Sequence, residues 1–386
     1  MMQLSGKYGK AKVFVKELHE TTKSQIIDLL DQPWTKDVMI RIMPDVHPGS
    51  DAVIGLTMRL NGQVEPSFVG NDIGCGMSFI KFRGELDFKR LDEVIKTNGI
   101  GSQERTPLEI EFPFEQLHCY KDINKTKALR SFATLGGGNH FIEVNKASND
   151  ETYLVIHSGS RNLGKQVYDA HKANTKNYYH RLLINEMIED YKKRGLEKQI
   201  HLRTLELHKE NQEKPTLLEG RAYEYYLDDL LLTKQFASLS RKKMIEIIVS
   251  EMNWEVISFH ETIHNYIERD TQILRKGAIR SLKDELVLIP INMKDGSILA
   301  KGKGYASWNY SSPHGAGRIL RRSIARKTLD VDTFKRSMEG IYSSTIGYQT
   351  LDESPLAYNT IEHIVKLAKN IDIIDILKPL YNFKGN

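Results

Sequence analysis

Short apolar runs broken by polar residues dominate the first part of the chain. Met39–Val46 (MIRIMPDV), Met77–Phe82 (MSFIKF) and Tyr153–His157 (YLVIH) are rich in apolar and β-branched residues, and their neighbourhoods are Gly- and Asp-rich. This pattern predicts strands that end in loops able to carry reactive groups. From about residue 165 the period becomes helical. KQVYDAHKANTKNYYHRLLINEMIEDYKKR and RAYEYYLDDLLLTKQFASLSRKKMIEIIVSEM space their apolar residues by three and four among many charges, with NQEKPTLLEG between them. A solvated helical hairpin follows from that spacing. Strands and loops return from 272, including ELVLIPINM and SILAKGKG, and a last helical stretch is predicted over 359–377, ahead of the tail LKPLYNFKGN. With no repeat, low-complexity tract or linker, the expected architecture is one α+β domain over 1–386, interrupted by a helical insertion at 165–270.

Composition adds limits. The chain has 386 residues, 40% hydrophobic and 27% charged, enough for a sizeable core, and a net charge of +5 that permits a polyanionic partner without demanding one. Cys75 and Cys119 are its two cysteines. That number gives no disulfide framework and fits a reducing compartment. The first residues lack the apolar run of a signal peptide, and no stretch approaches the roughly 18 apolar residues of a membrane span. A cytoplasmic protein is expected.

Four segments place polar, metal-competent residues among glycines: Gly70–Gly76 (GNDIGCG), Gly136–Glu143 (GGGNHFIE), His157–Arg161 (HSGSR) and Pro313–Arg318 (PHGAGR). A carboxylate and a thiol three residues apart in a glycine-flanked loop can turn toward one ion. The GGG run offers backbone N–H groups to a phosphate but matches neither common nucleotide-loop spacing. A fifth segment, His260–His264, reads H-E-x-x-H, which on a helix would suit a zinc protease. That short pattern leaves the other four segments unexplained.

Taken together, PDVH (44–47), NDIGCGM (71–77), GGGNHFIEV (136–144), HSGSR (157–161), HN (264–265), RKGA (275–278), PHGAGR (313–318) and the terminal KG (384–385) resemble the RtcB family of RNA-splicing ligases, in the family's order. The resemblance implies mixed β-sheets around a two-manganese centre held by Asp72, Cys75, His140, His157 and His264. It implies His314 as the nucleophile that takes GMP from GTP, with Asp45 as its orienting carboxylate. It further implies nucleotide contacts from Asn139, His140, Phe141, Ile142, Glu143, His264, Asn265, Pro290, Ile291, Asn292, Met293, Ser297, Gly315, Ala316, Gly317, Tyr358 and Lys384. Arg161, Arg318 and Arg322 are candidates to grip RNA phosphates, since guanidinium pairs bidentately with them. The implied substrates are RNA ends bearing a 3′-phosphate or 2′,3′-cyclic phosphate and a 5′-hydroxyl, with an archease-like activator as a further partner. On this reading the H-E-x-x-H match is accidental.

The chain departs from the family pattern at Pro290–Met293 (PINM for the usual PGSM), at Arg321-Arg322 (for Ser-Arg), at Ser240-Arg241 (for Asn-Arg) and after PDVH. These departures suggest an altered pocket edge or RNA choice. Two alternatives stay open at this point: an RNA-end-binding or damage-sensing protein that has lost ligation, and a metal-dependent RNA phosphoesterase.

Overall fold

The computed structural model describes residues 1–210 and 217–385. In chain order its strands are β1 (Met2–Ser5), β2 (Lys10–Val13), β3 (Ile40–His47), β4 (Ile54–Arg59), β5 (Gln63–Val64), β6 (Gly76–Arg83), β7 (Phe141–Lys146), β8 (Thr152–Ser158) and β9 (Leu218–Glu219). They continue with β10 (Glu255–Ile263), β11 (Asn265–Glu268), β12 (Ile273–Lys276), β13 (Ala278–Arg280), β14 (Leu286–Asn292), β15 (Gly296–Gly302), β16 (Ser311–Pro313) and β17 (Ile371–Lys384). The helices are α1 (Glu20–Leu30), α2 (Phe88–Thr97), α3 (Lys125–Arg130), α4 (Arg161–Lys193), α5 (Ile200–Glu210), α6 (Gly220–Met252), α7 (Arg322–Thr328), α8 (Val331–Ser337) and α9 (Ile361–Leu367).

Two sheets carry the architecture. One has the order β1-β2-β3-β4-β12-β11, the other β10-β6-β8-β7-β17-β15-β14. Along β6, β7 and β8 alternate side chains serve two cores. Ile80, Phe82, Ile142, Val144, Leu154 and Ile156 pack with Tyr226, Leu230, Phe236, Met244 and Ile248 of α6. On the opposite face Met77, Phe79, Phe141 and Val155 meet Leu288, Leu299 and Leu377. Strands from opposite halves of the seven-strand sheet therefore share one cluster, and its end strands β10 and β14 touch, which requires the sheet to curl into a half-barrel. Burying both faces makes these strands nearly continuous apolar runs.

Two expected boundaries are corrected. The helical pattern assigned to 165–270 stops at Met252, where Asn253 takes a left-handed backbone (φ 54°) and caps α6. The residues beyond it form β10 and β11, because β10 pairs residue by residue with β6, from Glu255 opposite Arg83 to Ile263 opposite Gly76, with one register shift between Val256 and Ser258. The helix expected over 359–377 is confined to α9, and the β-branched run that follows enters β17. β17 bonds to β15 through its first half and to β7 through its second. Pro379 sits at a register shift within the β7-paired half, where a missing N–H costs little.

Candidate metal centre and active site

The loops before β6 and β7, the end of β8 and the β10–β11 junction converge at the rim of the half-barrel. Cys75 Sγ lies 3.2 Å from His157 Nε2 and 3.5 Å from His140 Nε2. His140 Nε2 is 3.1 Å from Asp72 Oδ2, and His157 Nε2 is 3.3 Å from His264 Nε2. The sequence separations run from 65 residues to 107, so only the fold assembles this cluster. Gly159 is required by close approach, since a Cβ there would stand 1.8 Å from Asp72 Oδ1.

Hydrogen bonds fix which ring atoms face inward. His140 Nδ1 donates to the Leu135 carbonyl at 2.8 Å and His157 Nδ1 to the Asn139 carbonyl at 3.1 Å. Each ring therefore keeps a proton on Nδ1 and turns Nε2 to the cluster, as metal-binding histidines do. Burial first, then the neighbouring histidines, hold His157 and His264 well below the usual imidazole range. Burial opposes ionisation of Asp72, but His140 and the Cys75 thiol outweigh it and keep the carboxylate ionised. Lone-pair donors facing one another at such distances repel unless a cation lies among them, so this donor set fits a metal ion.

A buried guanidinium braces the ligand loops. Arg241 of α6 donates through Nη1 to the carbonyls of Gly74 (2.9 Å) and Ser158 (2.6 Å), the neighbours of Cys75 and His157. Its Nε reaches Ser78 Oγ and its Nη2 reaches Glu261 at 2.7 Å. Next to it, Ser240 Oγ accepts from the Ala133 N–H at 2.9 Å, tying α6 to the segment ahead of the GGG run. The glutamate of the H-E-x-x-H segment is thus the counter-ion of Arg241. His260, in β10, stacks on Phe79 of β6. Four residues along a strand span roughly 13 Å, so His260 and His264 cannot share an ion.

His314 faces this cluster from the loop after β16, its ring centroid 4.8 Å from that of His264. Asp45, fully buried at the end of β3, takes three N–H groups on Oδ2: His314 Nδ1 at 2.7 Å, the His314 amide at 3.0 Å and the Gly315 amide at 3.2 Å. The Nδ1 proton is held by the carboxylate, which leaves Nε2 with an exposed lone pair. Gly317 has φ 74°, and a Cβ there would lie 2.5 Å from the Asp45 carbonyl oxygen.

Cluster and histidine open on a cavity of about 1420 Å³, ample for a nucleotide with room to spare. Its lining includes Asn139, Phe141, Glu143, His264, Asn265, Pro290, Ile291, Asn292, Met293, Gly315, Ala316, Gly317, Arg318, Arg322, Tyr358 and Lys384. Four of the expected nucleotide contacts have side chains turned away from the cavity or spent on backbone groups. Ile142 points into the helix-backed core, because alternation puts Phe141 and Glu143 on the cavity face. Ser297 is buried beside Pro290 in the β14–β15 ladder, outside the lining. Asn292 accepts from the Lys294 and Asp295 amides, both at 2.9 Å, and so caps the β14–β15 turn. Asn265 bridges the Asp72 carbonyl (3.2 Å) and the Gly277 amide (3.0 Å).

Sequence reasoning overlooked Glu353. This buried carboxylate binds Tyr358 Oη at 2.6 Å, Arg318 Nη1 at 3.1 Å, Arg322 Nη1 at 2.8 Å and Lys384 Nζ at 3.2 Å. Burial opposes its charge, and the three cations outweigh burial and lower its pKa. Arg318 is thereby committed to Glu353 and to the Asp352 carbonyl. Arg161 lies over Gly136 and reaches Gln103 Oε1 at 3.1 Å, outside the cavity lining. The signal available was the acidic pair Asp352-Glu353 shortly ahead of Tyr358.

Glu143 is buried too, and burial pushes its carboxyl up to about 7 against the opposing amides of Asn145 and Asn382, each at 2.8 Å. It titrates near neutrality and faces the cavity. For folding, the raised value means that the stability present at low pH is lost as pH climbs from the ordinary carboxyl range through about 7.

Buried nitrogen, sulfur and carboxylate donors beside a carboxylate-anchored histidine, in a nucleotide-sized cavity, form a donor set compatible with a metal centre. The tRNA-splicing ligase RtcB family model matches residues 25–111 and 97–385, and the chain belongs to that family. It is similar to the RNA-splicing ligase RtcB of Escherichia coli K12 (27% identical, 88% of each chain covered). It is also similar to RtcB2 of another E. coli strain (25%; 89% of this chain, 87% of the relative) and to the tRNA-splicing ligase RtcB of Aeropyrum pernix (24%; 89% and 87%).

Proposed function

We propose that the chain is a GTP- and Mn²⁺-dependent RNA ligase that joins a 3′-phosphate or 2′,3′-cyclic phosphate end to a 5′-hydroxyl end, in RNA repair or tRNA splicing. The observation that carries this reading is the His314–Asp45 pair facing the Asp72/Cys75/His140/His157/His264 cluster. Two Mn²⁺ ions on those five residues would offset negative charge on the phosphate oxygens.

His314 Nε2 attacks the α-phosphorus of GTP; the N–P bond forms as the P–O bond to pyrophosphate breaks. The imidazole gains positive charge in that step, and Asp45 stabilises it through Nδ1–H. A 3′-phosphate oxygen of RNA then displaces the imidazole and carries away GMP. The 5′-hydroxyl attacks that activated phosphorus, its proton leaves and GMP departs; a cyclic phosphate is first opened by water. Asn139, Phe141, Glu143, Tyr358 and Lys384 form the nucleotide end of the cavity. Arg322, half-exposed at its rim, is the arginine best placed to meet an RNA phosphate, and Arg161 stands by the ligand loops. An archease-like activator and a cytoplasmic site belong to the same reading.

The test mixes protein, Mn²⁺ and α-labelled GTP, then adds RNA with a cyclic phosphate and RNA with a 5′-hydroxyl. Covalent labelling followed by joined RNA is expected. Labelling without joining would leave only a nucleotide-accepting relic, and RNA-end cleavage without GTP would point to a phosphoesterase instead.

GTP affinity should rise with pH through about 7, because ionised Glu143 accepts hydrogen bonds from base N–H groups and the neutral acid does not. Glu143→Gln should flatten that rise in a fluorescent-GTP titration at fixed Mn²⁺. An unchanged slope in the variant would remove Glu143 from base recognition.

A further inference from the structure

We propose a second metal site, distinct from the active-site cluster, in which Cys119, His171 and Asp229 hold one Zn²⁺ ion. The three side chains come from separate parts of the fold: the loop before α3, α4 and α6. Their donor atoms all lie within 4.8 Å of one another, and all three residues are buried. The active-site trio Cys75, His140 and His157 meets the same distance limit, with the same burial.

The geometry of Asp229 supports a ligand role. His171 Nε2 stands 2.8 Å from Oδ2, close to the 3.1 Å between His140 and Asp72 in the first cluster. The backbone amides of His118 (2.7 Å, to Oδ1) and Cys119 (3.1 Å, to Oδ2) orient the carboxylate. Such outer hydrogen bonds set the direction of ligating groups. Cys119-Tyr120-Lys121-Asp122 reverses the spacing of Asp72-Ile73-Gly74-Cys75, and the Asp122 charge also bears on the Cys119 thiol. One thiolate, one imidazole and one carboxylate form a donor set for Zn²⁺, with a fourth position left for water or Asp122. Burial, then Asp229, pushes the free thiol well up. Zinc must therefore displace a proton on binding, and affinity should climb roughly tenfold per pH unit near neutrality. The ion would staple α4 and α6 to the 117–122 segment, a structural role separate from ligation.

Because the chain has two cysteines, Cys75→Ala leaves Cys119 as the sole thiol. Co²⁺ added to that variant should give a near-ultraviolet thiolate-to-cobalt band that saturates at one equivalent and is displaced by Zn²⁺. A Cys75→Ala variant that is folded by circular dichroism and shows no such band would overturn the proposal. If that variant fails to fold, full-length wild type and Cys119→Ser are compared: the band should lose one thiolate's intensity in Cys119→Ser, and equal bands would overturn the proposal as well.

Discussion

Replacing His314 by alanine should leave the protein unable to retain label from α-labelled GTP, while Mn²⁺ binding stays near wild type. Nothing else at that position offers a lone pair toward the cluster: the Asp45 oxygens lie behind the ring, and His264 is turned into the ligand set. Asp45 refines the prediction. Its Oδ2 receives three N–H groups, so Asp45→Ala strands all three and frees the imidazole to rotate and change tautomer. That variant should fall close to His314→Ala. Asp45→Asn keeps a carbonyl oxygen to accept the same donors and loses only the negative charge. A hydrogen bond to a charged group contributes about 1.5–3 kcal/mol, so labelling in Asp45→Asn should slow by roughly 10- to 100-fold. Single-turnover labelling measures all three. Equal labelling of His314→Ala and wild type would remove His314 as the nucleophile, and equal rates for Asp45→Asn and wild type would remove the charge from the argument.

Arg241→Met should produce the second large effect, on metal retention and stability together. The guanidinium is fully buried and ties the carbonyls beside Cys75 and His157 to Glu261. Methionine fills much of the volume but leaves two carbonyls and a mostly buried carboxylate without their donor. Breaking a buried pair from one side costs about 3–5 kcal/mol, and outer-shell losses lower metal affinity by about 10- to 100-fold. Arg241→Lys should recover little, because a single ammonium cannot span acceptors arranged for a planar fork. Denaturant unfolding and Mn²⁺ titration give the two numbers. A variant with wild-type unfolding and wild-type metal affinity would show that α6 does not hold the ligand loops.

The strands carrying the site were legible because their runs are short, apolar and bounded by glycine: β3, β6, β8, β14 and β15 fall where the pattern puts them. Asp72, Cys75, His140, His157, His264 and His314 could be named because each sits in a compact motif, and the fold brings them together. β17 was misread because Asp372 and Asp375 punctuate its isoleucines at helical spacing. Its state is decided by two neighbouring strands far away in sequence, which no local window contains. β10 was taken into the helical run for a similar reason. Arg241 was named only beside the Ser240 departure and Glu353 not at all, because most of their partners lie 20 to 167 residues away, and a charged residue's burial is not written in its local sequence. The changed Pro290–Met293 segment does line the cavity, while its asparagine oxygen caps the β14–β15 turn.

The place of β17 has a consequence for biosynthesis. It is the wedge between β7 and β15, and it delivers Lys384 to the cavity. A nascent polypeptide halted before Ile371 would present two separate slabs with bare edges facing each other, and the pocket would lack a wall. Competence therefore arrives in one stroke, when the closing ribbon slides home, and prematurely terminated products should be inert and sticky rather than partly active.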